Sequence, residues 1–578
     1  MTSELVEKTD DALLAIARGV EVRGGEIIAE LDTNITELSR VYHGEVYDIG
    51  QFGSILKVKY GRRLIFAMVK RLRMKTEYEL ERMGRTEAKP DERVLEADLI
   101  GQAEYILDSS HPSKKYLNFE RGVTTFPLPL QTVYLTPKSE LRQIYATNQR
   151  APLDIGTYVG VEDTRCVLDT NEFLGKHAAI LGSTGAGKSA CVAAIVGQLA
   201  RTLSGNSASG QVPKVIMFDP HNEYGRAFPD GRVLSTDNGS LRLPLWLLNY
   251  QETVDFVVGR SERAATNQAS VVRDALASCR STAAGEIGLS EDDVTIDSPL
   301  PYRLDDLVDK IKEARPESNK TQQAPYDAVL EKLRIRRLDS RLSFMLSSDA
   351  PTSDIPDESN ETLGDPLVAV MQQFLGQEQA PAIVDLSGVP SEVAGIVTGT
   401  IGRILFSWRL WQDASEREKD PIVIVCEEAH LYVPSSGTAQ YAEAQSAIRR
   451  IVREGRKYGV GLIVVSQRPS EIDETVLSQC STWVVLRVTN ENDQARIRAA
   501  LPEAMTGLAS ALPSLRRQEA VVTGQSIAFP ARIRIRDLSE GELPSSQDVD
   551  FIAGWAHGGR TADDMLKIAR RWQTQDAQ

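Results

Sequence analysis

The chain has 578 residues, 42% of them hydrophobic and 25% charged, with a formal net charge of −15. That length implies roughly two to four domains around a large buried core. No run of about 18 apolar residues occurs, which excludes a membrane-spanning helix, and the acidic balance excludes an outer surface coated with nucleic acid. Any DNA must then meet a local basic lining, such as a pore.

In chain order, the acidic start MTSELVEKTDDALLAIARG lacks the apolar core of a signal peptide and reads as one amphipathic helix over residues 1 to about 20. From about 25 to 150, alternating apolar residues and glycine turns predict short strands, as in VYDIGQFGSILKVKYGRRLIFAMVKRLRMK, RVLEADLIGQAEYIL and TTFPLPLQTVYLTP. Strands at that spacing suggest a small β-barrel. Buried-strand runs follow at 177–182, 214–219, 381–388, 421–428, 459–467 and 482–488. Helical segments separate most of them, the pattern of a parallel, doubly wound sheet. Between about 250 and 375 the strands give way to charged helical sequence, ending in SSDAPTSDIPDESNETLGD, which reads as disordered. Residues 519–537 predict a terminal hairpin, and a polar helical tail follows. The expected organisation is a barrel with a leading helix (1–150), a first α/β-core segment (151–250), a helical insertion (251–375), a second α/β-core segment (376–537) and a tail (538–578). Cys166, Cys191, Cys279, Cys426 and Cys480 form no CxxC pair. They predict buried thiols in a reducing cytoplasm, with neither zinc nor disulfides.

Chemistry enters at HAAILGSTGAGKSA, residues 177–190. Gly182, Gly187, Lys188 and Ser189 complete G-x-x-x-x-G-K-S between a strand and a helix. Glycines there let backbone N–H groups wrap a phosphate at a helix N-terminus, where the dipole favours negative charge. The loop Gly182, Ser183, Thr184, Gly185, Ala186, Gly187, Lys188, Ser189, Ala190 is therefore a nucleotide-binding loop. Lys188 is expected to reach the β/γ-phosphates of ATP, and Ser189 to ligate Mg²⁺. The fold class expected is α/β: a RecA-like P-loop sheet with a small N-terminal barrel and a helical insertion.

The strand PIVIVCEEAH ends in Glu427 and Glu428. At that position the first acid orders the Mg²⁺ shell and the second takes a proton from the attacking water. Glu427 stands where most such enzymes carry Asp, and its extra methylene favours metal contact through water. The next strand ends VVSQRP, so Gln467 either senses the γ-phosphate or caps the turn before Pro469. Between them, SAIRRIVREGRKYG places Arg449, Arg453 and Arg456 on one helical face. That face is either merely solvated or supplies an arginine to a neighbour's γ-phosphate, Arg453 first and Arg456 second. FDPHNEY brings Asp219, His221 and Glu223 near the nucleotide, as satisfied polar groups at a strand end or, less expectedly, as metal ligands. The basic run Lys70, Arg71, Arg73, Lys75 is a candidate DNA lining, with a solvated strand end or a partner surface as equal alternatives.

Taken together, KHAAILGSTGAGKS, VIMFDPHNEY, VIVCEEAH, REGRKYGVGLIVVSQRPSEIDETVLSQCSTWVVLRVTNENDQ and LPSLRRQEAVVTGQSIAFPARIRI resemble the HerA family of hexameric ATPases, in the wider HerA/FtsK group. GEVYDIGQFGSILKVKYGRRLIFAMV is similar to that family's N-terminal barrel. The resemblance implies nucleotide binding by Gly185, Gly187, Lys188 and Ser189, Glu428 as base, Gln467 as sensor and Arg453 as an arginine acting in trans. It sets Lys176 where the family usually has a nucleotide-contacting arginine. It implies a cytoplasmic homo-hexamer that translocates duplex DNA through its pore. A NurA-type nuclease, or a sirtuin-like NADase or other nuclease in anti-phage defence, would dock on the barrel. A scaffold that gates such an effector, with translocation secondary, is the alternative.

Overall fold

A computed structural model describes residues 12–107, 115–146, 152–161, 164–206, 212–259, 266–317, 319–346, 365–376, 381–435, 442–501, 509–545, 551–556 and 559–574. Residues 347–364 of the segment read as disordered lie outside them. By contacts the chain divides into a first unit (Met1–Gln198, Gln467–Ser470, Cys480–Asp537) and a second (Leu199–Ser466, Glu471–Gln479, Leu538–Gln578).

The first unit opens with β1 (Ala15–Arg23), β2 (Glu26–Leu31), β3 (Ser39–Tyr42), β4 (Glu45–Asp48), β5 (Ile55–Tyr60), β6 (Arg63–Met74), β7 (Arg93–Leu107), β8 (Lys115–Arg121) and β9 (Thr132–Leu135). The order β2-β1-β9-β5-β6-β7 closes on itself through β2–β7, giving a six-stranded barrel with β8 added beside β7. Closure removes the open edges that would otherwise pair with other chains. Ile27, Ala29 and Leu31, Ile65, Ala67 and Val69, and Leu95 and Ala97 belong to one buried cluster, each series stepping by two residues. That is the strand period that sends alternate side chains inward. The expected leading helix is corrected from Ala15 onward. Residues 15–23 are a strand, because AIARGVEVR pairs with β2 and β9 and alternates inward and outward like its neighbours. Residues 1–11 lie outside the described region.

The basic run on β6 is also resolved. Lys70 pairs with Glu26 and Asp98, Arg71 and Arg73 pair with Glu96 and Glu81, and Lys75 pairs with Glu30 and Glu92. Carboxylates from β2, β7 and their flanks neutralise the run, so it is no bare phosphate-binding stripe.

After residue 151 come β10 (Pro152–Tyr158), β11 (Arg165–Asp169), β12 (Ala178–Leu181), β13 (Lys214–Asp219), β14 (Arg232–Leu234), β15 (Ala382–Asp385), β16 (Ile422–Cys426), β17 (Val460–Ser466), β18 (Thr482–Leu486), β19 (Glu519–Gly524) and β20 (Ala531–Ile535). In the first unit β12 runs parallel to β18, and the antiparallel series β18-β19-β20-β10-β11 extends from it. The second unit holds an all-parallel series, β17-β16-β13-β15-β14. β15, β16 and β17 are buried at every residue, as their uninterrupted apolar sequences require of strands covered on both faces. The insertion is helical at Tyr250–Val257, Thr266–Glu286, Leu304–Glu313, Lys320–Leu338 and Pro366–Leu375. The tail carries helices at Phe551–Ala556 and Ala562–Thr574.

Candidate functional site: a nucleotide-binding loop and a pair of acids

In the first unit, β12 delivers the chain into the glycine-rich loop with all four strand residues buried. Gly185 and Gly187 have φ of 73° and 99°, a region that side chains with a Cβ rarely occupy. At Gly182 a Cβ would lie 2.9 Å from the Leu486 Cβ, so only glycine lets the loop pass β18. The Ser183 N–H donates to the Arg487 carbonyl (2.9 Å), and the Ala186 N–H to the Ser183 carbonyl (3.1 Å). These bonds shape the loop while Thr184 and Gly185 stay exposed at its tip. Helix Lys188–Asn206 begins at the loop's end, and its Lys188 is buried. The first-turn N–H groups therefore have no earlier helical carbonyl, the arrangement that suits an anion at a helix start.

Gln467, picked out from sequence at a strand tip, comes to the same loop, where the Thr184 hydroxyl donates to its side-chain oxygen. Lys176 follows helix Thr170–Gly175, with its ammonium 2.6 Å from Glu172 and bonded to Gln525. The lysine is thus held within its own unit.

In the second unit, β16 ends in the two acids. Glu427 and Glu428 are 3% and 7% exposed, so neither is a solvated strand end. The buried Tyr224 hydroxyl donates to Glu427 Oε2 at 2.8 Å. Burial, with the Glu427 charge, raises the Tyr224 phenol well above its ordinary pKa, and it stays a donor. Glu428 has left-handed backbone (φ 48°, ψ 47°) and lies 3.2 Å from His430 Nδ1. Tyr224 and His430 were not singled out from sequence, although both sit inside motifs that were, FDPHNEY and EEAH.

Asp219, His221 and Glu223 do not assemble as metal ligands. Among the described residues no group of three or more His, Cys, Asp or Glu side chains is arranged to hold a metal. Asp219 accepts the N–H groups of Tyr224 (2.9 Å) and His221 (3.3 Å), bracing the turn that carries Tyr224. Burial raises its pKa, and those N–H bonds work against the shift. Mg²⁺ takes one or two protein oxygens and keeps water and phosphate as its other ligands, so Ser189 and Glu427 suit it in donor type.

The arginine face splits. Arg449 is bound to Asp473, and although burial opposes it, that contact holds the Asp473 carboxyl below its usual range. Arg453 and Arg456, on the same helix Ala442–Tyr458, are exposed and have no ion-pair partner among the described residues.

A strand, a G-x-x-x-x-G-K-S loop and a helix, in a chain whose buried parallel strand ends in paired acids, define a P-loop ATPase. The chain belongs to the HerA family. Residues 153–405 match the family described as Helicase HerA, central domain, and residues 408–526 match Helicase HerA-like C-terminal. It is 26% identical over 482 residues to the DNA double-strand break repair helicase HerA of Pyrococcus furiosus, covering 76% of this chain and 77% of that one. The protein of the same description from Saccharolobus solfataricus is 29% identical over 440 residues, with 75% and 76% covered. Among solved structures, VirB4 of Thermoanaerobacter pseudethanolicus aligns at 17% identity over 68% of this chain and 98% of its own, with a TM-score of 0.46. The bacterial conjugative coupling protein TrwB aligns at 12% identity over 71% and 94%, with a TM-score of 0.44. Among the described residues no helix is long and apolar enough to cross a membrane.

Proposed function

We propose that the chain is a cytoplasmic, ring-forming translocase of duplex DNA that couples movement to ATP hydrolysis. The Gly182–Ser189 loop holds the triphosphate, Lys188 its β/γ-phosphates, and Ser189 with Glu427 the Mg²⁺ shell. Magnesium supplies charge neutralisation on the phosphates when bound. Glu428 takes the proton of the attacking water, and Gln467, already on the loop at Thr184, positions that water or reads the γ-phosphate.

The observation that carries the ring is Arg453, exposed and unpaired among the described residues, beside an Arg449 that is committed to Asp473. A guanidinium kept free on this helix suits transition-state charge in a neighbouring subunit, with Arg456 second in line. Six-fold assembly follows the family resemblance. One observation favours a second reading, a ring scaffold that gates a nuclease or sirtuin-like NADase. The basic run Lys70–Lys75 is neutralised by carboxylates of the barrel and its adjoining helix, which favours a protein partner over DNA at that stretch.

ATPase rate, with and without linear duplex DNA and with and without the partner, separates the two. Stimulation by DNA alone supports the translocase, and dependence on the partner alone supports the scaffold. In either case Glu428→Gln retains bound ATP and stops turnover. Normal hydrolysis by that variant refutes the assignment of the base.

A further inference from the structure

Two stretches of the first unit, the phosphate loop and the segment that follows β17, hang from one helix start. Gln467–Ser470 packs with the first unit, although the residues on both sides belong to the second. β18 ends at Leu486, and helix Glu491–Ala500 begins soon after it. Asn490 caps that helix, its side chain accepting the N–H groups of Asn492 (2.9 Å) and Asp493 (3.2 Å). Just before the cap, the Thr489 N–H donates to Ser183 Oγ in the phosphate loop (3.2 Å). Just after it, Asp493 Oδ1 accepts both the N–H (3.0 Å) and the hydroxyl (2.6 Å) of Ser470. At the other end of the same segment, Gln467 accepts the Thr184 hydroxyl. Asp493 is 7% exposed, so bulk water is a poor substitute for it, and an acid in the first turn suits the helix dipole.

We propose that Asp493 is a positioning residue for catalysis: by anchoring Ser470, it fixes the place of Gln467 at the phosphate loop. The proposal rests on Gln467 reading the γ-phosphate or holding the attacking water. A glutamine has several side-chain torsions, and an unsupported one samples many rotamers. The Thr184 hydroxyl orients the Gln467 amide, but it does not fix the backbone from which that side chain starts. The backbone is fixed from both ends: β17 stops at Ser466, and Ser470 is tied by two bonds to one carboxylate oxygen. Between them the buried Pro469, with its locked φ, begins the 3₁₀ turn Pro469–Glu471, so little slack remains. Because Thr489 and Asp493 flank the same cap, the loop that holds the phosphates and the segment that reads them share one support. Asp493 acts only through Ser470, yet a displacement of about 1 Å passed to a reacting group can cost about a hundredfold in rate.

The test uses the full-length protein with ATP and Mg²⁺, comparing the parent with Asp493→Ala, Asp493→Asn, Gln467→Ala, and Asp493→Ala combined with Gln467→Ala. Asparagine keeps a side-chain oxygen that can accept both Ser470 bonds, and alanine does not. We expect Asp493→Ala to lower kcat by about ten- to hundredfold. Its affinity for ADP, which lacks the γ-phosphate, should stay within about twofold of the parent, because the phosphate loop itself is intact. Asp493→Asn should recover most of the lost rate. Adding Asp493→Ala to Gln467→Ala should lower the rate no further, because the two act as one unit. If Gln467→Ala is slow but Asp493→Ala turns over normally, the sensor stands and the positioning role is overturned. Losses that add in the combined variant overturn it too, since Asp493 would then act apart from Gln467. A kcat loss that Asp493→Asn does not recover, or one matched by a fall in ADP affinity and melting temperature, assigns Asp493 to folding alone and also overturns it. Normal turnover by Gln467→Ala instead removes the reading on which the proposal rests.

Discussion

Replacing Tyr224 with Phe tests how Glu427 is prepared for metal. The substitution removes one hydroxyl, the donor that lies 2.8 Å from Glu427 Oε2, and leaves the Tyr224 N–H bond to Asp219 in place. Tyr224 is 0% exposed and Glu427 3%, so bulk water cannot readily replace the lost donor. A hydrogen bond to a charged group contributes about 1.5–3 kcal/mol, and about 1.4 kcal/mol corresponds to a factor of ten. Loss of a partner that fixes a metal-ordering carboxylate then weakens metal binding by about 10–100-fold. The assay is ATP hydrolysis titrated with Mg²⁺ at fixed ATP. The half-saturating Mg²⁺ concentration should rise by about that factor, with the parent rate regained at excess Mg²⁺. An unchanged Mg²⁺ dependence, or a rate loss that excess Mg²⁺ does not repair, refutes the place given to Glu427.

Three further outcomes are expected. Lys188→Ala should abolish binding of a fluorescent ATP analogue, and retained affinity would remove the phosphate role of the loop. Arg453→Ala should lose on the order of a thousandfold in ATPase rate. Mixed with Glu428→Gln subunits, it should regain activity at junctions where one chain brings the base and the other the arginine; no recovery counts against action in trans. Gly156→Ala places a Cβ 2.0 Å from the Arg534 carbonyl oxygen at φ +154°, and should cost on the order of 3 kcal/mol, visible as a lower melting temperature. An unchanged melting temperature would contradict that register of β10 on β20.

What the sequence shows by itself is what lies close along the chain. The loop, its strand and its helix are contiguous, and the apolar runs before Glu427 and Gln467 can only be buried strands. Residues 15 to about 20 read as a helix because AIARGVEVR carries too short an alternation to outweigh the helical segment before it. Their pairing with β9 more than a hundred residues later settles them as a strand. The run from Lys70 to Lys75 looks basic for the same reason, since its neutralising acids come from β2, β7 and their flanks. Arg449, Arg453 and Arg456 are equivalent by spacing and differ only because Asp473 sits against the first. β14 has three residues and no periodicity that could announce it.

The register of β12 against β18 joins Ala178–Leu181 to Thr482–Val485, about 300 residues further on. At the usual pace of synthesis, roughly 5–20 residues per second, the strand that launches the phosphate loop waits about 15–60 s on the ribosome before its parallel neighbour exists. Through that interval an apolar segment with an unmade ladder must be kept from its own kind. That interval, from about the first third of translation to the start of its last fifth, is when the nascent chain is most open to pairing with its own kind.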